Sequence, residues 1–206
     1  MSISSHTTSS SSESATQSAL SRPDTAHSTG VADSGRWSTR RIAMYALFVA
    51  LAMVTSFIEL PLPGIVNWLR YDPSGIVCLI AGFAFGPSAA VIVSILGFLP
   101  HLFIDAWGTL MAVLVALGLS VPAAFVYRRI RTRKGALLGI LLGAIVALIV
   151  AIVGNLIVTP FYTGWPVSAV VAMIVPVLLP FNLIKFTIHG VVTFLIYKPI
   201  SDLLNR

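Results

Sequence analysis

Charge is scarce in this chain. Only 10% of its 206 residues are Asp, Glu, Lys or Arg, against about 25% in an ordinary soluble domain. That scarcity, with 57% hydrophobic residues and a mean hydropathy of +0.94, excludes a water-soluble globule and reads as an integral membrane protein of one membrane domain. Cysteine is nearly absent too. Cys78 stands alone in an apolar run, so no internal disulfide can form, and no Cys/His cluster has zinc spacing. Nothing in the chain resembles a nucleotide-binding glycine loop, so it carries no nucleotide-hydrolysing machinery of its own. Ser74 and Ser120 have no His and acid at telling positions, and no catalytic constellation, metal site or cofactor is expected. Acids are fewer than bases, seven against thirteen. In a soluble protein that excess would raise nucleic-acid binding. Here the bases flank apolar segments, where they act as topology signals, and no basic patch with interleaved aromatics remains to bind nucleic acid.

Large apolar residues are also nearly absent from positions 1–38, a stretch dominated by Ser, Thr, Ala, His and a few charges. Such a segment cannot bury enough surface to offset its ordering entropy, so a disordered cytoplasmic tail is expected, followed by a membrane domain over 39–206. The tail lacks the charged start, apolar middle and small-residue cleavage site of a signal peptide.

Six apolar segments follow, at about 42–60, 73–85, 88–104, 109–127, 135–159 and 174–199. The fold expected is all-α and integral to the membrane, with six transmembrane helices. The second segment is short against the roughly 20 residues of a straight span. It opens on Asp72-Pro73-Ser74, a helix start signal, and Gly86-Pro87 closes it in a tight turn. Pro61, Pro63 and Gly64 break the chain before it, and the apolar, aromatic loop 61–72 suits a cover over a ligand. The aromatic, Pro-rich stretch 159–166 reads as a connection, and 167–173 as a short interfacial helix. Small residues Ala46 and Ala50, four apart on the first helix, would let another backbone approach closely in lipid, either within the subunit or on a partner. Glycines 135, 139 and 143 repeat the pattern on the fifth.

With six spans, eleven of the thirteen Lys and Arg residues fall on the side of the tail, the Gly86-Pro87 turn, the loop 128–134 and the C-terminus; Arg70 and Lys185 do not. The positive-inside rule makes that side, and both termini, cytoplasmic. The aromatic connections, with Trp68, Tyr71, Trp107, Phe161, Tyr162 and Trp165, then face outward.

The expensive residues are Asn155, Asn182 and Lys185. A charge within a spanning helix costs about 2.5–3.5 kcal/mol on insertion scales and marks a functional site by default. Asn182 and Lys185, three apart, share a face. With Asn155 they would floor a pocket opening to the outer face, and amides and an ammonium under aromatic loops suit a planar ligand with hydrogen-bonding edges. The opposing reading pairs Lys185 with Glu59, with Asp105 or with carbonyls freed by Pro180. His101 and Asp105, at i and i+4, read as an ion pair or loop, and His189 as a packed or hydrogen-bonded residue.

Tyr71-Asp72-Pro73-Ser74 with Gly82-Phe83-Ala84-Phe85-Gly86-Pro87, Asn155 with Pro160-Phe161-Tyr162, and Pro180-Phe181-Asn182-Leu183-Ile184-Lys185 give the chain from about 40 to 204 its resemblance. It resembles the substrate-binding (S) components of energy-coupling factor (ECF) vitamin transporters, most closely the riboflavin-specific type. The resemblance implies a non-enzymatic, multi-pass protein of the cell membrane. Such a protein takes riboflavin, its transported ligand, from outside and delivers it through a transmembrane coupling (T) protein and two ABC-type ATPases. It implies flavin contacts for Asn155, Asn182 and Lys185, with Tyr162, Leu62 and Asp72 completing the expected ligand-binding set as the first outer loop closes. It also implies T-protein docking at Ala46 and Ala50. The chain departs from the riboflavin pattern at Gly108-Thr109-Leu110-Met111-Ala112, where Gly-Glu-x-x-Asn is common, and at Gly75, often acidic. An S component for another vitamin, a standalone carrier and a membrane enzyme are the alternatives.

Overall fold

A computed structural model describes residues 38–62 and 69–204, with backbone alone over 201–204. All of the expected tail 1–38 but Ser38, and residues 63–68 of the first outer loop with Trp68, lie outside the described residues. Among the described residues, four helical stretches are long and apolar enough to cross a membrane: Thr39–Ser56 (α1), Ala106–Arg129 (α4), Arg133–Thr163 (α5) and the run Val167–Ile200. Two shorter apolar stretches, Ser74–Phe85 (α2) and Pro87–Phe103, lie between them. The latter comprises α3, Pro87–Leu96, and a 3-10 turn, Leu99–Phe103.

The short α2 has a physical reason. Ten of its twelve residues are buried, so other helices surround it and protein meets its ends. Leu79, Cys78 and Ala81 are fully inaccessible. Gly86, at φ 92°, turns the chain into α3, and Pro87 takes the first helical position, where its missing N–H costs nothing.

Two breaks expected from the sequence are absent. α5 runs through Pro160 to Thr163, because one lost hydrogen bond near a helix end is tolerated. The stop is Gly164, left-handed at φ 70°, whose N–H donates to the Pro160 carbonyl. Phe161 and Tyr162 are therefore helical rather than in a loop. The stretch Val167–Met173 (α6) is not a separate interfacial helix either. It continues through a π-type turn, Ile174–Leu178, into Leu179–Leu204 (α7). Pro176 and Pro180 lack the N–H groups a regular helix needs there, and the ladder widens around them.

α4 and α5 pack as an antiparallel hairpin. A Cβ on Gly143 would sit 2.1 Å from the Leu119 carbonyl oxygen, and one on Gly139 2.7 Å from that of Ala123. The glycine repeat thus sets backbone contact inside the subunit. On α1 the opposite holds. Tyr45, Phe48 and Ala52 face inward and are buried, whereas Ala46 and Ala50 point away from the bundle and are exposed. Between α1 and α2 the chain forms a two-stranded antiparallel ribbon, Leu60–Pro61 (β1) against Arg70–Tyr71 (β2), with Leu60 opposite Tyr71. These two-residue strands leave the fold class all-α, as expected.

Candidate functional site

One end of the bundle collects the ends of α1, α3 and α5 and the beginnings of α4 and α7. A cavity of about 390 Å³ lies there. The other end holds Arg40, Arg41, the 128–134 loop and Lys198. Asn155, Tyr162, Asn182, Lys185 and Asp72 all line the cavity. Leu62, half-buried, is not among its lining residues.

The two amides are anchored but not exhausted. Asn182, 5% exposed, donates one N–H to the Leu178 carbonyl at 2.8 Å. Asn155 donates to the Ala151 carbonyl at 2.7 Å and accepts from the Thr159 hydroxyl at 3.0 Å. An amide offers two donors and two acceptor lone pairs, so each retains capacity for a ligand while its own helix fixes its rotamer. Asn155 lies eight residues before the end of α5, about 12 Å along it.

Lys185 has a partner that sequence reasoning did not name. Its Nζ lies 2.7 Å from Asp72 Oδ2, with the two side chains 16% and 14% exposed. Glu59 instead pairs with Arg70 at 3.5 Å, half in solvent, where an ion pair contributes about 0–1 kcal/mol. Asp105 caps α4, its Oδ1 accepting from Gly108 N–H at 2.9 Å, and is not paired with His101. The His101 ring stacks on Phe57 at 4.2 Å. Both His101 and Asp105 still line the cavity.

Asp72 is the junction of the site. Its Oδ1 accepts from the Ser74 N–H at 3.2 Å and from the Ser74 hydroxyl, starting α2 one residue later than expected. Its Oδ2 takes Lys185. Its backbone carbonyl accepts from His189 Nε2 at 2.9 Å, which fixes the Nε2–H tautomer. Burial pushes the Asp72 carboxyl up, but the Lys185 charge and hydrogen bond, with Ser74, outweigh it and hold the group below the usual carboxylate range. A lowered folded value means that this pairing favours the folded state above the unfolded carboxyl pKa and is lost as pH falls through the folded one. Tyr71, 5% exposed, is turned inward with its ring 5.3 Å from His189. Burial, and then the Asp72 charge, push its phenol up to about 12, so it stays neutral.

His189 also explains a departure in the sequence. A Cβ on Gly75 would lie 2.5 Å from the His189 ring, so the imidazole fills the space a side chain at 75 would need. Of the aromatic residues expected above the site, Trp107 and Tyr162 line the cavity. Trp107 lies parallel to Phe161, with centroids 6.3 Å apart and 9° between planes. The polar residues inside apolar helices were legible from sequence. That His101, Asp105, Arg70 and Glu59 line the same cavity was not, because it depends on how the ends of separate elements meet.

Residues 40–197 match the family described as ECF transporter, substrate-specific component. The riboflavin transporter RibU of Staphylococcus aureus (strain TCH60) is 30% identical over 176 residues, covering 81% of this chain and 93% of that protein. A solved S component of a bacterial ECF transporter is 29% identical and superposes with a TM-score of 0.70, covering 81% of this chain and 98% of that one.

Proposed function

The chain belongs to the substrate-specific components of ECF transporters, which are transport subunits and not enzymes, and from that premise we propose that it captures riboflavin or a close flavin for import. The observation that carries the reading is the convergence of Asn155, Asn182 and Lys185 on one cavity with Trp107 and Tyr162, in a chain 30% identical to a riboflavin transporter. A flavin ring is planar, with amide-like donors and acceptors along one edge. Two anchored amides and an ammonium match that edge, and aromatic side chains match the faces.

In this reading the chain crosses the cell membrane six times, α2 and α3 completing the four longer spans. The basic end with both termini is cytoplasmic, and the cavity opens outward. The energy comes from a T protein and two ABC-type ATPases. Ala46 and Ala50 are the docking face, supported by their outward orientation on α1. Ala46→Trp is expected to leave riboflavin binding to the purified protein unchanged. Uptake by cells carrying the complete transporter should fall to about a tenth or less, as a close helix contact is blocked. Unchanged uptake would remove Ala46 from the interface.

The direct test is a fluorescence titration of purified protein with riboflavin, flavin mononucleotide and thiamine. Riboflavin fluorescence should quench to a 1:1 endpoint. Flavin mononucleotide should bind at least about tenfold more weakly, because Arg70 and Lys185, the Arg and Lys lining the cavity among the described residues, are already paired with carboxylates. Saturable thiamine binding without riboflavin binding would replace the flavin with another vitamin. Uptake by cells lacking the T protein and ATPases would point to a standalone carrier.

A further inference from the structure

The bundle carries a second concavity, whose lining shares no residue with the polar site. It is a groove of about 450 Å³ between α5 and α7, walled by residues such as Leu137, Leu141, Ala144, Leu148, Leu183 and Leu195. Thr187 is its one polar lining residue, and the Thr187 hydroxyl donates to the Leu183 carbonyl at 2.7 Å, leaving its methyl for the groove. We propose that this groove holds one anionic phospholipid of the leaflet at the basic end of the bundle.

Length is the first argument. From Leu137 to Leu148, and from Leu183 to Leu195, the groove runs roughly 16–18 Å along the helices. That is about half of a ~30 Å hydrocarbon core, the depth of one leaflet. A transmembrane partner helix would call for a face across the whole thickness. Charge is the second. Arg133 and Lys134 stand one turn before Leu137, and Lys198 one turn beyond Leu195. The mouth of the groove therefore lies within reach of three cations. The carboxylates whose side chains are described, Glu59, Asp72 and Asp105, all lie at the opposite, cavity end. An acyl chain along apolar walls with a phosphate head beside Arg133, Lys134 and Lys198 satisfies both features. A zwitterionic lipid also carries a phosphate, but its own ammonium cancels the net charge, so it satisfies the second feature more weakly.

The test is native mass spectrometry of the full chain released from nanodiscs of equimolar phosphatidylglycerol and phosphatidylcholine with matched acyl chains. One retained lipid is expected, with phosphatidylglycerol favoured about tenfold. The combined variant Arg133→Gln, Lys134→Gln and Lys198→Gln should bring the two lipids to near-equal retention. Thr187→Trp and, separately, Ala144→Phe should lower retention of both lipids about tenfold by filling the groove. Wild-type protein that retains no lipid, or both lipids equally, overturns the proposal. So does a charge-neutral variant that keeps the preference, or a filled groove that keeps its lipid. No vitamin enters the measurement, so its outcome is independent of the flavin reading.

Discussion

Lys185→Ala is expected to weaken riboflavin binding by about 10–10²-fold, the worth of a hydrogen bond to a charged group. The structure supplies two routes to that loss. If Lys185 touches the ligand, the contact disappears. Whether or not it does, the substitution strands the Asp72 carboxylate, 14% exposed and 2.7 Å from the missing ammonium. Breaking such a pair by removing one partner typically costs about 3–5 kcal/mol for buried groups, somewhat less at this exposure, and the cost falls on the segment that starts α2 and ends the first outer loop. Loss of binding in the single variant therefore does not identify a ligand contact. The double variant Lys185→Met with Asp72→Asn separates the cost of a stranded carboxylate from the loss of a contact made by either residue. It removes both charges with near-equal volumes and leaves the Asp72 backbone carbonyl on His189. Thermal unfolding of the double variant should return towards wild type while riboflavin titration shows binding still weakened. Riboflavin affinity restored to within about threefold would mean that Lys185 acts by holding Asp72, and would remove it from the ligand's contacts.

That ion pair marks where sequence reading reaches its end. Asn155, Asn182 and Lys185 were visible because polar groups in apolar helices are expensive, and expense is a property of a single position. Partners are a property of the fold. Asp72 and Lys185 are 113 residues apart, and Glu59 and Asp105 were equally acceptable partners until the ribbon of Leu60–Pro61 and Arg70–Tyr71 turned Glu59 towards Arg70. Punctuation by proline was read too strongly. Pro160, read as part of a connection, lies within a continuous helix, and the effective stops are the positive-φ glycines at 86 and 164. Small-residue spacing proved ambiguous in an instructive way. Ala46 and Ala50 face outward, whereas the glycines of α5 face α4. The spacing is the same, and only the neighbouring bulky residues, Tyr45 and Phe48 against Leu141 and Leu142, decide which side is turned in. His189 was legible as a packed residue, yet its tie to the Asp72 carbonyl and its occupation of the space beside Gly75 were not.

Gly143→Leu is expected to destabilise the protein by about 3 kcal/mol or more, at the upper end of overpacking costs. The reason is the identity of the obstacle. The added Cβ would lie 2.1 Å from the Leu119 carbonyl oxygen and 3.1 Å from its carbon. A side chain can rotate away from a clash, but a backbone carbonyl inside α4 cannot without giving up its helical hydrogen bond. The helices must separate instead, and Gly139 against Ala123, one turn away, lies in the same seam. Ile149→Ala, on the exposed face of α5, is the control and should change stability by no more than about 0.5 kcal/mol. The consequence extends to the site. α5 carries Asn155 twelve residues beyond Gly143, about 18 Å along the axis, and α4 supplies the facing wall from Trp107 to Val115. The milder Gly143→Ala still places a Cβ against the Leu119 carbonyl. If that variant folds, it should weaken riboflavin binding although it lies far from the cavity, because separating the hairpin moves one wall relative to the other. Thermal unfolding and riboflavin titration of both variants read the two effects. Wild-type stability in Gly143→Leu would mean that α4 and α5 do not approach as closely as these glycines place them, and that Asn155 is held by something other than the hairpin seam.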